Sequence, residues 1–374
     1  MIVLFGATGY TGARVAEAMV RRGLRPVLAG RRADRLASLT QRLESLGLGT
    51  LDVVRAEVGD VASVRALIGQ GDVLVSTVGP FIRLGEPALR AAIDAGAIYL
   101  DSTGEPPFIR RVFEEFGPLA QRSGASLIPA FGHDYVPGNL AGALALRDSA
   151  ARVHRLEVGY LISGGGRAQV ISRGTVRSAV GLLTEQSFTW RDGIQLEPTG
   201  SRRPTFTVGG LACAALAVGA TEHYTLPRLA GPHGVPEVDV YFGRLGSAPR
   251  LAQLSYRLLP ALLALPGARR LGRGIGEFAL RWVAEEPDPV ALGQVRSHVV
   301  GTAYDAAGAE LAQVRLVSSD PYQLTADLLA WGAQRAAERG VSGPGALGPV
   351  AAFGLDVLMA GAAEVDLKST DTMW

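Results

Sequence analysis

Cysteine is nearly absent: Cys213 stands alone in 374 residues. That excludes an intrachain disulfide framework and fits a reducing compartment. Cys213 lies in the small apolar run Gly209-Gly210-Leu211-Ala212-Cys213-Ala214-Ala215, where a buried structural thiol is expected rather than a nucleophile. Lysine is as scarce, Lys368 being the one lysine among 37 basic residues. No apolar run reaches the ~18 residues that a membrane span needs. Charge of one sign is also lacking, and a net charge of +2 argues against nucleic acid as the main partner. The five histidines and the cysteine show no close ligand spacing such as His-x-x-x-His, so no metal site is expected. The chain opens on a strand-like run and not on a leader, which sets the expectation of a cytoplasmic protein.

Glycine, in contrast, is abundant, with 48 residues, and its most informative use is at the start. Ile2-Val3-Leu4-Phe5 reads as a buried parallel strand, and Gly6-Ala7-Thr8-Gly9-Tyr10-Thr11-Gly12 follows it. Val15, Ala16, Met19 and Val20 then recur at helical spacing. Strand, tight turn and helix in this order make a pyrophosphate-binding unit, because the helix N-terminus presents free backbone N–H groups above the strand end. Gly6 allows the sharp turn, Gly9 lets the backbone approach the phosphates, and Gly12 lets helix and strand pack closely. Thr8, Tyr10 and Thr11 share this turn and are counted with the dinucleotide site. The second strand, within residues 25–32, ends in Arg31-Arg32. An Asp or Glu at that place would bond a ribose 2′-hydroxyl, whereas guanidinium groups suit a 2′-phosphate. The expected cofactor is therefore NADP(H).

Strand and helix patterns continue to alternate: helix 33–46, strand 51–56, strand 72–78, helix 87–95, strand 97–101, helix 107–122 and strand 126–130. Such alternation predicts a doubly wound parallel sheet, a Rossmann domain over residues 1–135. Asp60 either reaches the adenine or caps the next helix. The fourth strand runs out through Val78 into Gly79-Pro80-Phe81. There Pro80 stiffens the loop and Phe81 is expected to press on the nicotinamide or the substrate. The sixth strand ends in Phe131-Gly132-His133-Asp134-Tyr135. All these loops leave the carboxyl ends of strands, on the one rim where a ligand binds in such sheets.

After Pro137 the rhythm changes. Residues 154–162 alternate as a half-buried strand, 172–178 open a helix where Thr175 or Ser178 either caps the helix or touches the cofactor, and 237–242, 294–304 and 310–317 read as further strands. These predict a second domain with a mixed α/β sheet over 136–342, with helices returning at 322–339. Gly343-Pro344-Gly345 then leads to a last helix near 350–359, within a closing stretch of 343–374. Residues 251–282 stand apart, with Leu258-Leu259-Pro260-Ala261-Leu262-Leu263 followed by Arg269-Arg270-Leu271-Gly272-Arg273. Three readings stay open for this segment: a helical hairpin or homodimer contact, a lid over an apolar substrate, or a contact with a membrane surface or carrier protein.

With these residues in hand, the chain resembles the saccharopine dehydrogenase-like oxidoreductases. The resemblance rests on Gly6 to Gly12, Ala29-Gly30-Arg31, Thr77-Val78-Gly79-Pro80-Phe81, Tyr99-Leu100-Asp101-Ser102-Thr103-Gly104-Glu105, Gly132-His133-Asp134-Tyr135-Val136-Pro137 and Gly174-Thr175-Val176-Arg177-Ser178, all in family order. The nearest branch includes the trans-acting enoyl reductases of mycobacterial lipid synthesis. The resemblance implies an NADP-binding Rossmann domain, an inserted substrate domain and a C-terminal helix on the first domain. The branch has an aromatic residue in place of His133 and a serine in place of Tyr135; both departures bear on the substrate and not on the cofactor.

The scarce lysine then separates this chain from other reductases. Short-chain reductases pair a tyrosine with a lysine four residues later, but position 364, four before Lys368, is Glu. Isoflavone-reductase-like enzymes also need a lysine, and acyl-phosphate reductases need a cysteine that Cys213 does not supply. What remains is hydride transfer to a C=C bond conjugated to a carbonyl or to a C=N bond, with a non-catalytic NADPH-binding sensor as the alternative of another class. Hydride addition leaves negative charge that a proton donor must meet. The candidate catalytic residues are Tyr135 and His133 as donors, with Asp134 orienting a neighbour or capping a helix, and Tyr10 behind them.

Overall fold

The computed structural model describes residues 1–45, 47, 50–165, 186–198, 200–202, 204–208, 211–244 and 286–370. The expected helix at 172–178 and the segment 251–282 lie outside the described residues. Chain contacts divide the rest into two units.

The first unit holds 1–104, 108–136 and 322–366. Its strands are β1 (Ile2–Phe5), β2 (Val27–Gly30), β3 (Val53–Arg55), β4 (Val73–Ser76), β5 (Ile98–Asp101) and β6 (Ser126–Ile128). With the two-residue strand Gly345–Ala346 they form a parallel sheet in the order Gly345–Ala346, β6, β5, β4, β1, β2, β3. This is the doubly wound arrangement expected of the alternating pattern, and its strand order reverses between β1 and β4. Strands buried on both faces need continuous apolar runs. Val3, Leu4 and Phe5 in β1 and Val73, Leu74 and Val75 in β4 are accordingly inaccessible to solvent. Gly345–Ala346 was read as part of a turn, because two residues carry no period.

Helix Pro321–Arg339 falls with this unit from Tyr322 onward. The expected return began at 343 and ran to the C-terminus; here it begins at 322 and ends at Asp366, and residues from Leu367 join the second unit. The reason is packing. Trp331 of that helix stacks on Phe131 at 6.3 Å, and Phe353 meets both rings edge-on. Burial of three aromatic side chains, each worth ~1.5–3 kcal/mol, outweighs the sequence distance.

The second unit is a mixed sheet. Its strands are β7 (Arg155–Ser163), β8 (Gln186–Arg191), β9 (Ile194–Pro198), β10 (Thr205–Val208), β11 (Leu211–Ala217), β12 (Glu237–Arg244), β13 (Arg296–Tyr304) and β14 (Glu310–Ser318). The order is β10, β11, β12, β7, β13, β14, then Lys368–Ser369, with the β8–β9 hairpin pairing on β12. Only β7 and β12 run parallel; the other pairs are antiparallel. β7, β12, β13 and β14 were legible as strands, while β8 to β11 were not. One signal was there to find: the turn-forming dipeptide Asp192-Gly193, which lies in the three-residue loop between the paired Trp190 and Ile194. Both residues have positive φ. Helix Val136–Asp148 packs on the sheet so closely that a Cβ on Gly301 would lie 2.6 Å from the Ala141 carbonyl carbon. Among the described residues no helix is long and apolar enough to cross a membrane.

Candidate functional site

The glycine turn sits at the carboxyl end of β1, where the strand order reverses. Gly6 N–H and Ala7 N–H both bond Ala29 O, and Gly9 N–H bonds Gly6 O, which folds the turn back on itself. Gly6 has φ +90°, and a Cβ there would lie 2.8 Å from Thr77 Oγ1 and Val78 Cγ2. On Gly12 a Cβ would come within 2.2 Å of Gly6 O. Gly9 differs: its nearest neighbour to such a Cβ is Gly6 O at 3.4 Å, on an exposed surface. Gly6 and Gly12 are thus required by the turn itself, whereas Gly9 leaves the approach from outside open. Helix Tyr10–Arg21 begins here with no side-chain cap and no acid in its first turn. Its first N–H groups and the positive end of its dipole therefore face outward, as an anionic group requires. Thr77 on the β4 side donates to Phe5 O and Gly6 O, tying the two loops together.

The other expected cofactor residues fall around this turn in different states. Thr8 Oγ1 would lie 3.7 Å from a Cβ on Gly30, so it leans over the end of β2. Thr11 lies in the helix's first turn, partly buried. Tyr10 packs edge-on to Tyr322 at 5.2 Å with the Arg14 guanidinium over its ring. Arg31 and Arg32 are both exposed. Arg32 grips Asp34 through two bonds of 2.7 and 3.3 Å, and this pairing holds the Asp34 carboxyl below its usual range. Arg31 has no such acidic partner among the described residues.

Of the two roles expected of Asp60, the structure shows the cap: its Oδ1 accepts the Ser63 N–H at the start of helix Val61–Arg65. One expectation changes. Phe81 does not point at a ligand. It is buried in the core with its ring 5.6 Å from Phe108, because the short helix Phe81–Leu84 turns its first apolar residue inward. What remains on the rim is the exposed backbone of Gly79, partly buried Val78, and Pro80, which precedes that helix.

On the neighbouring β6 loop, His133 Nδ1 lies 2.7 Å from Asp134 Oδ1. A carboxylate accepts, so Nδ1 carries the proton in this contact. His133 N–H donates to Thr325 Oγ1 on helix Pro321–Arg339. The imidazole is almost enclosed, while the Asp134 side chain is 38% exposed. Tyr135 is buried at 3% exposure, its N–H bonding Ala130 O. Sequence reasoning grouped these three but missed Asp101, whose carboxylate lies wholly buried beneath them. Its place at the end of a parallel strand, where a charge is rarely buried without partners, was the available signal.

Residues 2–127 match the saccharopine dehydrogenase NADP binding domain, as the expected NADP(H) cofactor requires. A Mycobacterium tuberculosis relative with a trans-acting enoyl reductase name is 33% identical over 183 residues, 46% of this chain and 43% of its own length. A Bos taurus saccharopine dehydrogenase-like oxidoreductase is 28% identical over 192 residues, 48% of this chain and 45% of its own. The matches thus cover less than half of these curated relatives. Among solved structures, saccharopine dehydrogenase (L-Glu forming) from Saccharomyces cerevisiae has the same fold, with a TM-score of 0.61 over 99% of both chains at 13% identity. Residues 2–127 thus match the saccharopine dehydrogenase NADP binding domain, and the chain is similar over part of its length to a saccharopine dehydrogenase-like oxidoreductase.

Proposed function

We propose that this protein is an NADP(H)-dependent reductase acting on a C=C bond conjugated to a carbonyl in an apolar substrate. The observation that carries the reading is the glycine turn: a cradle closed by Gly6 and Gly12, open at Gly9, and topped by an uncapped helix end. Its backbone N–H groups would hold the pyrophosphate, Arg31 the 2′-phosphate, and the Gly79-Pro80 backbone the nicotinamide end. NADPH, when bound, supplies a hydride. His133 and Asp134 supply the rest. A hydride added to the conjugated bond leaves charge on an enolate, and His133 is the group on the rim suited to return a proton. Asp134 fixes the ring through Nδ1, so that Nε2 is the nitrogen that would pass a proton to the substrate. Tyr135, buried and held by its own backbone, is the weaker donor. The enoyl-reductase name of a relative supports C=C as the acceptor. The saccharopine dehydrogenase description of the matched domain keeps C=N reduction as the second reading.

The test is NADPH oxidation with a panel of enoyl thioesters and cyclic imines. Turnover of the thioesters alone is expected, with kcat falling ~10²-fold or more in His133→Ala, the scale of general acid catalysis, and little in Tyr135→Phe. Turnover of imines alone would replace the first reading with the second. Tight NADPH binding with no turnover of either class would make the protein a sensor.

A further inference from the structure

We propose that Asp101 is a positioning residue that sets the His133–Asp134 pair; the inference rests on the reading of that pair as the proton source. Asp101 is the last residue of β5 and has no solvent exposure. Its Oδ1 accepts two backbone N–H groups, from Thr103 at 2.9 Å and Ala130 at 2.8 Å. Its backbone O accepts a third, from Phe131 at 2.7 Å. One residue thus binds both the loop after β5 and the loop after β6.

From there the bonds lead straight to the site. Ala130, held at φ +57°, accepts the Tyr135 N–H on its own carbonyl at 2.8 Å, and Gly132 O accepts Val136 N–H at 3.1 Å. These two bonds close the five-residue loop on which His133 and Asp134 sit. The β5 loop touches the same pair from the other side, since a Cβ on Gly104 would lie 3.0 Å from Asp134 Oδ2. A left-handed alanine is costly unless its surroundings hold it, and the bond to Asp101 is the hold on its N–H. Tyr99 and Ser76 pack below. Burial, and then the Asp101 charge, push the Tyr99 phenol well above its usual range, so it stays neutral beside the carboxylate. In these contacts Asp101 acts through the backbone that carries His133 and Asp134.

The experiment reads the His133 ring directly. Long-range 1H–15N NMR on the 15N-histidine-labelled full chain reports the tautomer of each of the five histidines, and His133→Gln assigns the signal. Asp101→Asn keeps an oxygen that can accept both N–H bonds, so the Nδ1–H form is expected to persist. Asp101→Ala removes the acceptor, and the His133 signal is expected to move to a mixture of tautomers while NADPH binding stays unchanged. In turnover, kcat should fall ~10- to 100-fold in Asp101→Ala, the cost of misplacing a catalytic group by a fraction of its reach, and recover in Asp101→Asn. Should the alanine variant fail to fold, Asp101→Ser, whose hydroxyl reaches one N–H at most, takes its place with the same expectation. An unchanged Nδ1–H signal in the folded Ala or Ser variant overturns the proposal, as does its loss in Asp101→Asn. Absence of turnover in the unmutated protein fails the reductase reading alone, because the tautomer is read without substrate.

Discussion

The two units differ in what they do with their polar groups. In the second, buried charge is consumed internally. Asp239, 2% exposed, lies between Arg191 at 2.7 Å and Arg202, which also bonds Glu197 and Tyr241. Glu222, fully buried, accepts from Tyr160 and Thr221, and Gly138 N–H donates to the same Tyr160 oxygen. Buried charges persist only when paired in this way. In the first unit, by contrast, the turn above β1 directs helix N–H groups outward, Arg31 stands exposed, and His133 and Asp134 occupy a strand-end loop. The contrast separates the part of the chain built to meet a charged ligand from the part whose polar groups serve its own folding.

Four substitutions or conditions test that contrast. The largest effect is expected for Gly12→Ala, whose Cβ would enter the Gly6 carbonyl. Helix and strand must separate, and NADPH affinity, followed by fluorescence titration, should fall more than ~100-fold, the scale of misplaced binding groups. Gly9→Ala, with more room, should leave the melting temperature unchanged. If Gly12→Ala binds normally, the cradle is not where the cofactor sits.

Tyr160→Phe tests the other side. It removes the donor to Glu222 and the acceptor for Gly138 N–H. Leaving such buried groups unsatisfied should cost about 1–3 kcal/mol in urea unfolding, with NADPH affinity unchanged. A loss of cofactor affinity in place of stability would erase the distinction between the units.

The third test is pH. His223 is fully buried, with its Nδ1 3.1 Å from Ala220 N and 3.2 Å from Ala220 O, and packs edge-on to Phe188. Burial pushes its pKa down to about 3, against an unfolded value near 6.5. The unfolded chain therefore takes the proton first. Its contribution to stability is complete above pH ~6.5 and is lost as pH falls toward the folded value, at up to ~1.4 kcal/mol per unit. His223→Asn should flatten the pH dependence of unfolding between pH 6.5 and 4; an unchanged slope would show that His223 does not stay neutral.

The smallest effects belong to the exposed arginines. Arg31→Ala should weaken NADPH binding ~10-fold, at the low end for a charge-assisted contact, and leave NADH binding alone. Arg32→Ala, already engaged with Asp34, should do less. Equal losses for both cofactors would remove the 2′-phosphate from Arg31.

The parallel sheet and the place of the dinucleotide turn were legible in the sequence, whereas the order of strands in the sheet came from the structure. The first two rest on local rules: continuous apolar runs for buried strands, helical spacing behind them, and glycine where no Cβ fits. Its single lysine and single cysteine also kept both residue types off the list of candidate proton donors. The sequence marked the loops from which a site is built, but not the aim of each side chain. Phe81 turned inward, because Phe108, distant in sequence, claimed it first. Only the tertiary structure decided that helix Pro321–Arg339 belongs to the first unit, through Trp331 on Phe131 and Thr325 on His133. It alone set Asp101 beneath the His133 loop, since bonds from one strand end to the next have no period that a linear pattern can carry.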